Sequence, residues 1–170
     1  SRISLVAPGL DDAQDLFDVI DASRAHLGRF LPWPQTIRTV ADEVAFVEAR
    51  IAKRAEGMEF GFLIRTVASG ALVDAIGVFA ISNHHRCGEI GYWLSEVGEG
   101  HGYMTEAVAL LEGVLFAAGM HHVEIRCSAD NTRSAAVPER LGYTLDGTLR
   151  DRFKTDDGYR DCLVFSKLST

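Results

Sequence analysis

The sequence has few of the residues from which disulfide frameworks and metal sites are built. Only three of its 170 residues are cysteine, and no two of them form a C-x-x-C pair. We therefore expect reduced thiols and no bound metal at Cys87, Cys127 and Cys162. No apolar run approaches the roughly 20 residues that span a bilayer, so we expect no membrane association.

Basic residues are also scarce. Lysine and arginine together number 17 against 24 aspartates and glutamates, which gives a net charge of −7. This balance argues against a nucleic-acid-binding protein. It fits either plain solubility or an attraction for cationic acceptors such as amines and basic protein tails. The first residues, Ser-Arg-Ile-Ser-Leu, lack the regions of a secretory signal, so together with the reduced thiols they predict a cytoplasmic protein.

The periodicity of the apolar residues predicts an α/β fold. Hydrophobic residues make up 47% of the chain, and its length suits one domain over residues 1–170 with a sizeable core. The elements follow the order β-α-α-β-β-β-α-β-α-β-β, which predicts a mixed sheet. The strands are predicted at Arg2–Val6, Phe60–Val67, Leu72–Ser82, Cys87–Ser95, His122–Ser128, Tyr143–Gly147 and Asp161–Leu168.

Four helices are predicted between these strands. They begin near Asp11, after a cap at Thr39, near Tyr103 and near Ser134. Pro32 and Pro34 separate the first two helices. In the second helix, a stripe of valines ending at Ile51 is expected to face the core; its members are Val40, Val44, Val47 and Ile51.

The stretch GEIGYWLSEVGEGHGYMTEAV, from Gly88 to Val108, places three glycines between a strand and a helix. Such glycines let successive N–H groups converge on an anion, and the start of a helix adds further N–H groups with about half a positive charge. Gly98–Met104 is therefore a candidate pyrophosphate site, with a plain flexible loop as the alternative. It has neither the Lys-Ser/Thr of a P-loop nor the spacing of a Rossmann fingerprint.

With its neighbours, this loop resembles the cofactor motif of the GNAT superfamily of acetyl-CoA-dependent N-acetyltransferases. The family motif Q/R-x-x-G-x-G/A lies between the fourth strand and the third helix, where this chain has Glu99–Met104. The segments EIGYWLS, GYMTEAV, FLPWP and NTRSAAVPERLGY are similar to the branch that acetylates the N-termini of ribosomal proteins. The resemblance covers nearly the whole chain.

The resemblance implies a GNAT-like, mostly antiparallel sheet that is splayed between strands 4 and 5 and flanked by four helices. It also implies acetyl-CoA as cosubstrate. The pantetheine arm would lie in the gap between the splayed strands, and the pyrophosphate would lie at the start of the third helix. By position, the cofactor contacts fall on Tyr92, Trp93, Leu94, Gly100, His101, Gly102, Tyr103, Met104, Asn131 and Ser134.

Two positions depart from the family pattern. Glu99 stands where arginine or glutamine is usual, and at about 6 Å each like-charge pair with a phosphate would cost about 3 kcal/mol at an effective dielectric constant near 20. We expect its side chain to turn to solvent while the backbone binds, with weak cofactor binding as the alternative. Ala136 stands where arginine is frequent, which removes one phosphate contact.

Acyl transfer to an amine needs a proton acceptor, donors for the carbonyl oxygen and a proton for the leaving thiolate. Glu89 is the candidate base, or else a structural carboxylate. By resemblance, a backbone N–H near Trp93–Leu94 would donate to the carbonyl oxygen. Ser134 is the candidate proton donor or a helix N-cap, and Tyr143 either competes for that role or packs in the core. Trp33 either lines the acceptor cleft with Glu89 or packs the break between helices.

The energy needed to deprotonate the amine bears on the acceptor. At pH 7, neutralising a lysine amine costs about 4.6 kcal/mol and neutralising an α-amine about 1 kcal/mol. The prediction is therefore acetylation of the N-terminal α-amine of a ribosomal protein or other peptide, by direct attack. A small amine such as a polyamine or an antibiotic is an alternative, as is a non-catalytic acetyl-CoA sensor. The acyl-chain preference and the assembly stay open, with a homodimer as one candidate.

Overall fold

The computed structural model describes residues 1–155 and 157–170. Seven strands form one sheet in the order β1-β2-β3-β4-β5-β7-β6. Every neighbouring pair is antiparallel except β4 and β5, which confirms the mixed, mostly antiparallel sheet. The strands are Ile3–Val6 (β1), Phe60–Thr66 (β2), Leu72–Ser82 (β3), Cys87–Leu94 (β4), His122–Ser128 (β5), Thr144–Thr155 (β6) and Gly158–Leu168 (β7).

Five α-helices flank the sheet, where four were predicted. They are Ala13–Ala22 (α1), Arg24–Leu27 (α2), Val40–Ala55 (α3), Tyr103–Ala117 (α4) and Thr132–Arg140 (α5). The first predicted helix is divided at Ser23, whose φ of −106° and ψ of 9° leave the helical range. The Ser23 hydroxyl accepts a hydrogen bond from the Glu96 N–H at 3.3 Å. Because the apolar stripe continues across the break, periodicity alone did not show it.

None of the helices in the described ranges is both long enough and apolar enough to cross a bilayer.

The sheet opens between its two parallel strands. The pairing of β4 with β5 begins at Cys87 and ends at Ile90, which lies opposite Ile125. Beyond that point residues 91–94 pair with β3 and residues 126–128 pair with β7. The predicted splay between strands 4 and 5 is therefore confirmed, and the inner edges of both strands face a gap.

Helix α3 buries part of the predicted stripe, Val47 above all, but exposes its last member, Ile51. Thr39 caps it as expected, accepting a hydrogen bond from the Asp42 N–H at 3.2 Å. The most buried side chains of the helix are Glu43 and Val47, each 1% exposed, whereas Ile51 is 39% exposed. The predicted stripe was wrong in this respect, because the buried face includes a glutamate that a search for apolar residues passes over.

The core lies on both faces of the sheet. The larger cluster fills the space between the sheet, α4 and α5, and the smaller one lies between the sheet, α1 and α3. Leu63 belongs to the smaller cluster and its neighbour Ile64 to the larger one, because successive strand residues point to opposite faces. Tyr143 packs in the larger cluster, which is one of the two alternatives predicted for it.

Candidate active site

A cleft of about 850 Å³ begins in the gap between β4 and β5 and continues between the sheet and α1, α2 and α3. This volume lies in the range of small-molecule and cofactor sites. We distinguish two regions of the protein around this cleft. The loop end consists of residues 94–104 with Asn131, Arg133 and Ser134. The aromatic end consists of Trp33, Glu43, Phe46 and Trp93. Within the described ranges, no three histidine, cysteine, aspartate or glutamate side chains are grouped to hold a metal ion.

A buried carboxylate anchors the glycine-containing loop. Asp74 of β3 is fully buried, and its Oδ1 accepts a hydrogen bond from the Ser95 N–H at 2.7 Å. The Ser95 hydroxyl in turn accepts one from the Gly98 N–H at 3.0 Å. A Cβ atom at Gly98 would overlap the Asp74 carboxylate, with Cγ only 2.7 Å away, so a larger residue does not fit. Burial raises the pKa of Asp74 to about 7.

The remaining two glycines shape the start of α4. Gly100 and Gly102 have φ values of +77° and +76°, which L-residues with a side chain rarely adopt. Gly102 directly precedes α4, and no side chain in the described part of the molecule caps this end. The first N–H groups of the helix therefore remain available to an anion. These are the features that the predicted pyrophosphate site at Gly98–Met104 requires.

The side chains that follow in the loop point away from the cleft. Met104 is buried in the larger core cluster. His101 is exposed, and its ring stacks on Tyr103 with the centroids 5.2 Å apart. The cleft wall at the loop end contains Leu94 and Glu99, but none of residues 100–104. Any contribution of residues 100–104 to ligand binding would therefore come from backbone N–H groups and not from side chains in the cleft wall.

Glu99 does not turn to solvent, so that expectation was wrong. Its side chain is 20% exposed, forms an ion pair with Arg133 of α5, and lies 3.1 Å from the His26 Nε2 atom of α2. The Arg133 guanidinium balances the carboxylate and connects the loop to α5 across the splayed gap. Because Arg133 is 34 residues away in sequence, the local pattern around Glu99 did not show this partner.

Tyr92, Asn131 and Ser134 meet across the gap. The Asn131 side chain accepts a hydrogen bond from the Ser134 N–H at 3.1 Å, so Asn131, and not Ser134, is the N-cap of α5. The Tyr92 hydroxyl donates to the Ser134 carbonyl oxygen at 2.9 Å, and the two hydroxyl oxygens are 3.5 Å apart. Burial raises the pKa of Tyr92, so its phenol stays protonated at neutral pH. The nearby Cys127 is a buried free thiol whose pKa burial raises to about 11.

Glu89 lies in the cleft wall, on the face of β4 that also carries Trp93. Its side chain is 29% exposed, and its Oε2 atom lies 3.5 Å from the Arg126 Nε atom. Arg126 is held more closely by Glu124, at 2.5 Å. Burial raises the pKa of Glu89 more than Arg126 lowers it. A carboxyl group with a raised pKa beside a cleft is suited to accept a proton near neutral pH.

The sequence left two alternatives open for Trp33, lining the cleft or packing the break between helices, and its position agrees with both. It lies in a single 3-10 turn, Trp33–Gln35, between α2 and α3. Its ring stacks on Phe46 of α3, with centroids 6.2 Å apart and planes 13° apart, and meets the Trp93 ring edge-on at 6.2 Å. It therefore packs the break between helices and also lines the cleft.

Sequence reasoning missed Glu43, which also lines the cleft. Both of its carboxylate oxygens are buried and have no hydrogen-bond partner in the described part of the chain. Burial raises its pKa to about 7. The one available signal was its position four residues before Val47, which places a charged residue on the buried face of α3.

Comparison with known sequences gives a consistent family assignment. Residues 2–144 match the profile of the family described as Acetyltransferase (GNAT) domain. The ribosomal-protein-serine acetyltransferase of Escherichia coli (strain K12) is 26% identical over 167 residues, covering 98% of this chain and 92% of that protein.

Two solved structures share the fold along nearly the whole chain. MccE, a microcin C7 self immunity acetyltransferase in complex with acetyl-CoA and AMP, aligns with a TM-score of 0.93 and 24% identity over 99% of this chain and 93% of its own. RimL, a ribosomal L7/L12 alpha-N-protein acetyltransferase in complex with coenzyme A, aligns with a TM-score of 0.93 and 24% identity over 99% of this chain and 94% of its own.

Proposed function

Since the chain belongs to the GNAT acetyltransferase family, we propose that residues 1–170 form one domain that transfers acetyl from acetyl-CoA to the N-terminal α-amine of a ribosomal protein or another peptide. The names of the Escherichia coli relative and of RimL support this acceptor. A ribosomal acceptor would also place the enzyme in the cytoplasm. Membership in an enzyme family argues against the non-catalytic sensor.

The observation that carries the proposal is the splayed gap beside the glycine loop. Beyond Ile90, the inner edge of β4 has no strand partner among the described residues and can bond an extended ligand. The loop that follows β4 contains two left-handed glycines and leads to the uncapped start of α4, which suit a diphosphate. The loop end therefore fits the pantetheine arm and pyrophosphate of coenzyme A, with Asn131 and Ser134 on the opposite side of the gap.

Acetyl-CoA would supply the thioester carbonyl carbon that the amine attacks. In our proposal, Glu89 accepts the proton of the amine, directly or through water. Backbone N–H groups near Trp93–Leu94 donate to the carbonyl oxygen as it becomes negative. The Ser134 hydroxyl gives a proton to the leaving thiolate, and its nearness to the Tyr92 hydroxyl, at 3.5 Å, supports that role.

The raised pKa of Glu89 sets the expected pH dependence. A base acts only when deprotonated, so the rate should increase with pH through the pKa of Glu89, which burial moves above its ordinary value. Replacing Glu89 by glutamine should therefore lower kcat by about 100-fold to 1,000-fold and remove this increase. Thiol release with acetyl-CoA and N-terminal peptides measures both effects.

Glu124→Gln is the matched control, because Glu124 shares Arg126 with Glu89 but lies outside the cleft wall. It should change kcat by less than about threefold, because it leaves the Glu89 carboxylate in the cleft wall. A Glu89→Gln enzyme with nearly full kcat would refute the assignment of the base. Failure of the native protein to bind acetyl-CoA would refute the proposal as a whole.

A small-molecule acceptor is the second candidate, and the MccE structure favours it. That protein is a microcin C7 self immunity acetyltransferase, and its structure is a complex with acetyl-CoA and AMP. Comparing kcat/KM for peptides from ribosomal-protein N-termini with kcat/KM for amine antibiotics separates the two. A preference of more than tenfold for the antibiotics would replace the ribosomal acceptor.

A further inference from the structure

The cleft wall contains a buried carboxylate that the proposed chemistry does not use. Glu43 is 1% exposed, and neither of its oxygens has a hydrogen-bond partner among residues 1–155 and 157–170. A buried carboxyl group without a partner is strongly disfavoured relative to an apolar residue of similar size. Because the adjacent cluster of Leu16, Val47 and Leu63 would accept such a residue, Glu43 weakens the core where it lies.

The surroundings of Glu43 suit a cationic ligand. Phe46 lies one turn further along the same face of α3, and Trp33 stacks on Phe46 and meets Trp93. Aromatic faces attract cations, and here the Arg50 guanidinium already lies 4.9 Å from the centroid of the Phe46 ring. The overall charge of −7 also favours the approach of positively charged acceptors.

Several cations of the protein line the same cleft, Arg29 and Arg152 among them, but within the described residues none forms an ion pair or hydrogen bond with Glu43. Arg50 forms an ion pair with Glu59. His26 lies against Glu99, and Arg126 is bound to Glu124 and Glu89. A partner for the Glu43 carboxylate would therefore come with the ligand.

The reacting amine is a poor match for this carboxylate. The proposed base, Glu89, already serves the reacting amine, and a second carboxylate beside that amine would favour its ammonium form over the neutral form that attacks the thioester. Glu43 is also separated from Glu89 by the Arg50 guanidinium. That guanidinium lies 4.9 Å from the ring centroid of Phe46, one turn after Glu43, and 4.9 Å from that of Phe79, which pairs with Glu89 across β3 and β4.

We propose that Glu43 binds a second cationic group of the acceptor, so that the enzyme selects acceptors with a positive charge besides the amine that is acetylated. This inference rests on the proposed function and specifies its acceptor class. The shared chemistry is an amine with a second cationic group in the same molecule. A basic N-terminal peptide and an α,ω-diamine both meet it.

Two matched pairs of acceptors test the inference. The peptides Ser-Arg-Ala-amide and Ser-Met-Ala-amide each have one amine that can be acetylated and differ in the second cation. Heptane-1,7-diamine and heptylamine differ in the same way. Measured by thiol release, the wild type should show at least tenfold higher kcat/KM for the dicationic member of one pair, and that pair identifies the source. In Glu43→Gln this preference should fall below threefold.

Glu48→Gln is the matched control, because it removes the same charge from an exposed position on α3 and should retain the full preference. Thermal denaturation should show that Glu43→Gln folds, since glutamine has the same shape. The inference is overturned if the wild type shows no preference, or if Glu43→Gln keeps it. Those results leave acetyl transfer intact. If no acceptor is turned over, the proposed function fails, and calorimetric binding of the two peptides to wild type and Glu43→Gln then decides the inference alone.

Discussion

Of two buried carboxyl groups with a pKa raised to about 7, Asp74 supports the loop end from outside the cleft wall, whereas Glu43 forms part of that wall at the aromatic end. At the loop end, Asp74 accepts a hydrogen bond from the Ser95 N–H and lies against Gly98. At the aromatic end, Glu43 has no such partner in the described residues. The first group is part of the scaffold that shapes the loop, whereas the second is available to a ligand.

The largest effect on acetyl-CoA binding is expected at Gly98, which has no room for a side chain. Replacing Gly98 by alanine would drive a Cβ into the Asp74 carboxylate, which cannot retreat without leaving the Ser95 N–H. Overpacking of this kind costs about 1–3 kcal/mol. Displacing the loop by about 1 Å should weaken acetyl-CoA binding by roughly 100-fold. Calorimetric titration with acetyl-CoA and thermal denaturation measure the two effects.

Gly113→Ala is the control for that substitution. Gly113 lies on an exposed turn of α4 with open space around its Cα atom, so alanine should stabilise the helix by about 0.5–1 kcal/mol. Its acetyl-CoA affinity should match that of the wild type. If Gly98→Ala also kept wild-type affinity and stability, Asp74 would not be what fixes the loop, and the contrast between the two ends would disappear.

The same contrast explains which features the sequence could predict. The succession of strands and helices along the chain, the Thr39 cap and the glycine loop before a helix depend on neighbouring residues, and they were predicted. The carboxylate environments depend on distant ones: Asp74 meets Ser95 from 21 residues away, and Glu99 meets Arg133 from 34 residues away. The aromatic end is assembled from separate elements, so its shape could not be predicted from any one segment.

The break at Ser23 and the burial of Glu43 on α3 were missed for a related reason. Apolar periodicity identifies a helix, but it does not show where the backbone leaves the helical range when the stripe continues beyond. It also assigns the buried face to the most apolar residues. Glu43 is charged but buried, so an apolar pattern does not detect it. A charged residue on a buried helical face is nevertheless a signal for function.

The two buried carboxyl groups should make stability depend on pH. Their folded-state pKa values, about 7, lie above the ordinary values of 4.5 for Glu43 and 3.8 for Asp74. A raised pKa means that the folded state holds the proton more tightly. The resulting stability is therefore complete below the ordinary values and is lost as pH rises through about 7. Glu43→Gln should match the wild type near pH 4.5 and exceed its stability by up to about 3 kcal/mol at pH 8.5.

Asp74→Asn should flatten the pH dependence of stability in the same way as Glu43→Gln. Unlike Glu43→Gln, it should also affect acetyl-CoA binding. An asparagine still accepts the Ser95 N–H, yet its amide group faces Gly98 and should weaken acetyl-CoA binding several-fold. Glu43→Gln should leave that affinity within about twofold. Urea denaturation at pH 4.5 and 8.5, with calorimetry, tests both variants. Equal losses of acetyl-CoA affinity would show that the two ends are not functionally distinct.

The smallest effect is expected at Glu99, which pairs with Arg133 and contacts His26 of α2. Glutamine there would remove a negative charge beside the proposed diphosphate site and free Arg133. Because the existing ion pair already offsets that charge, acetyl-CoA binding should tighten only about twofold to fivefold at low salt and less than twofold at 0.3 M salt. Glu96→Gln, an exposed change of the same charge in the same loop, should alter binding less. A tenfold weakening in Glu99→Gln would instead mean that the bond to Arg133 holds the loop end in its binding geometry, so that this end, too, depends on a contact between distant elements.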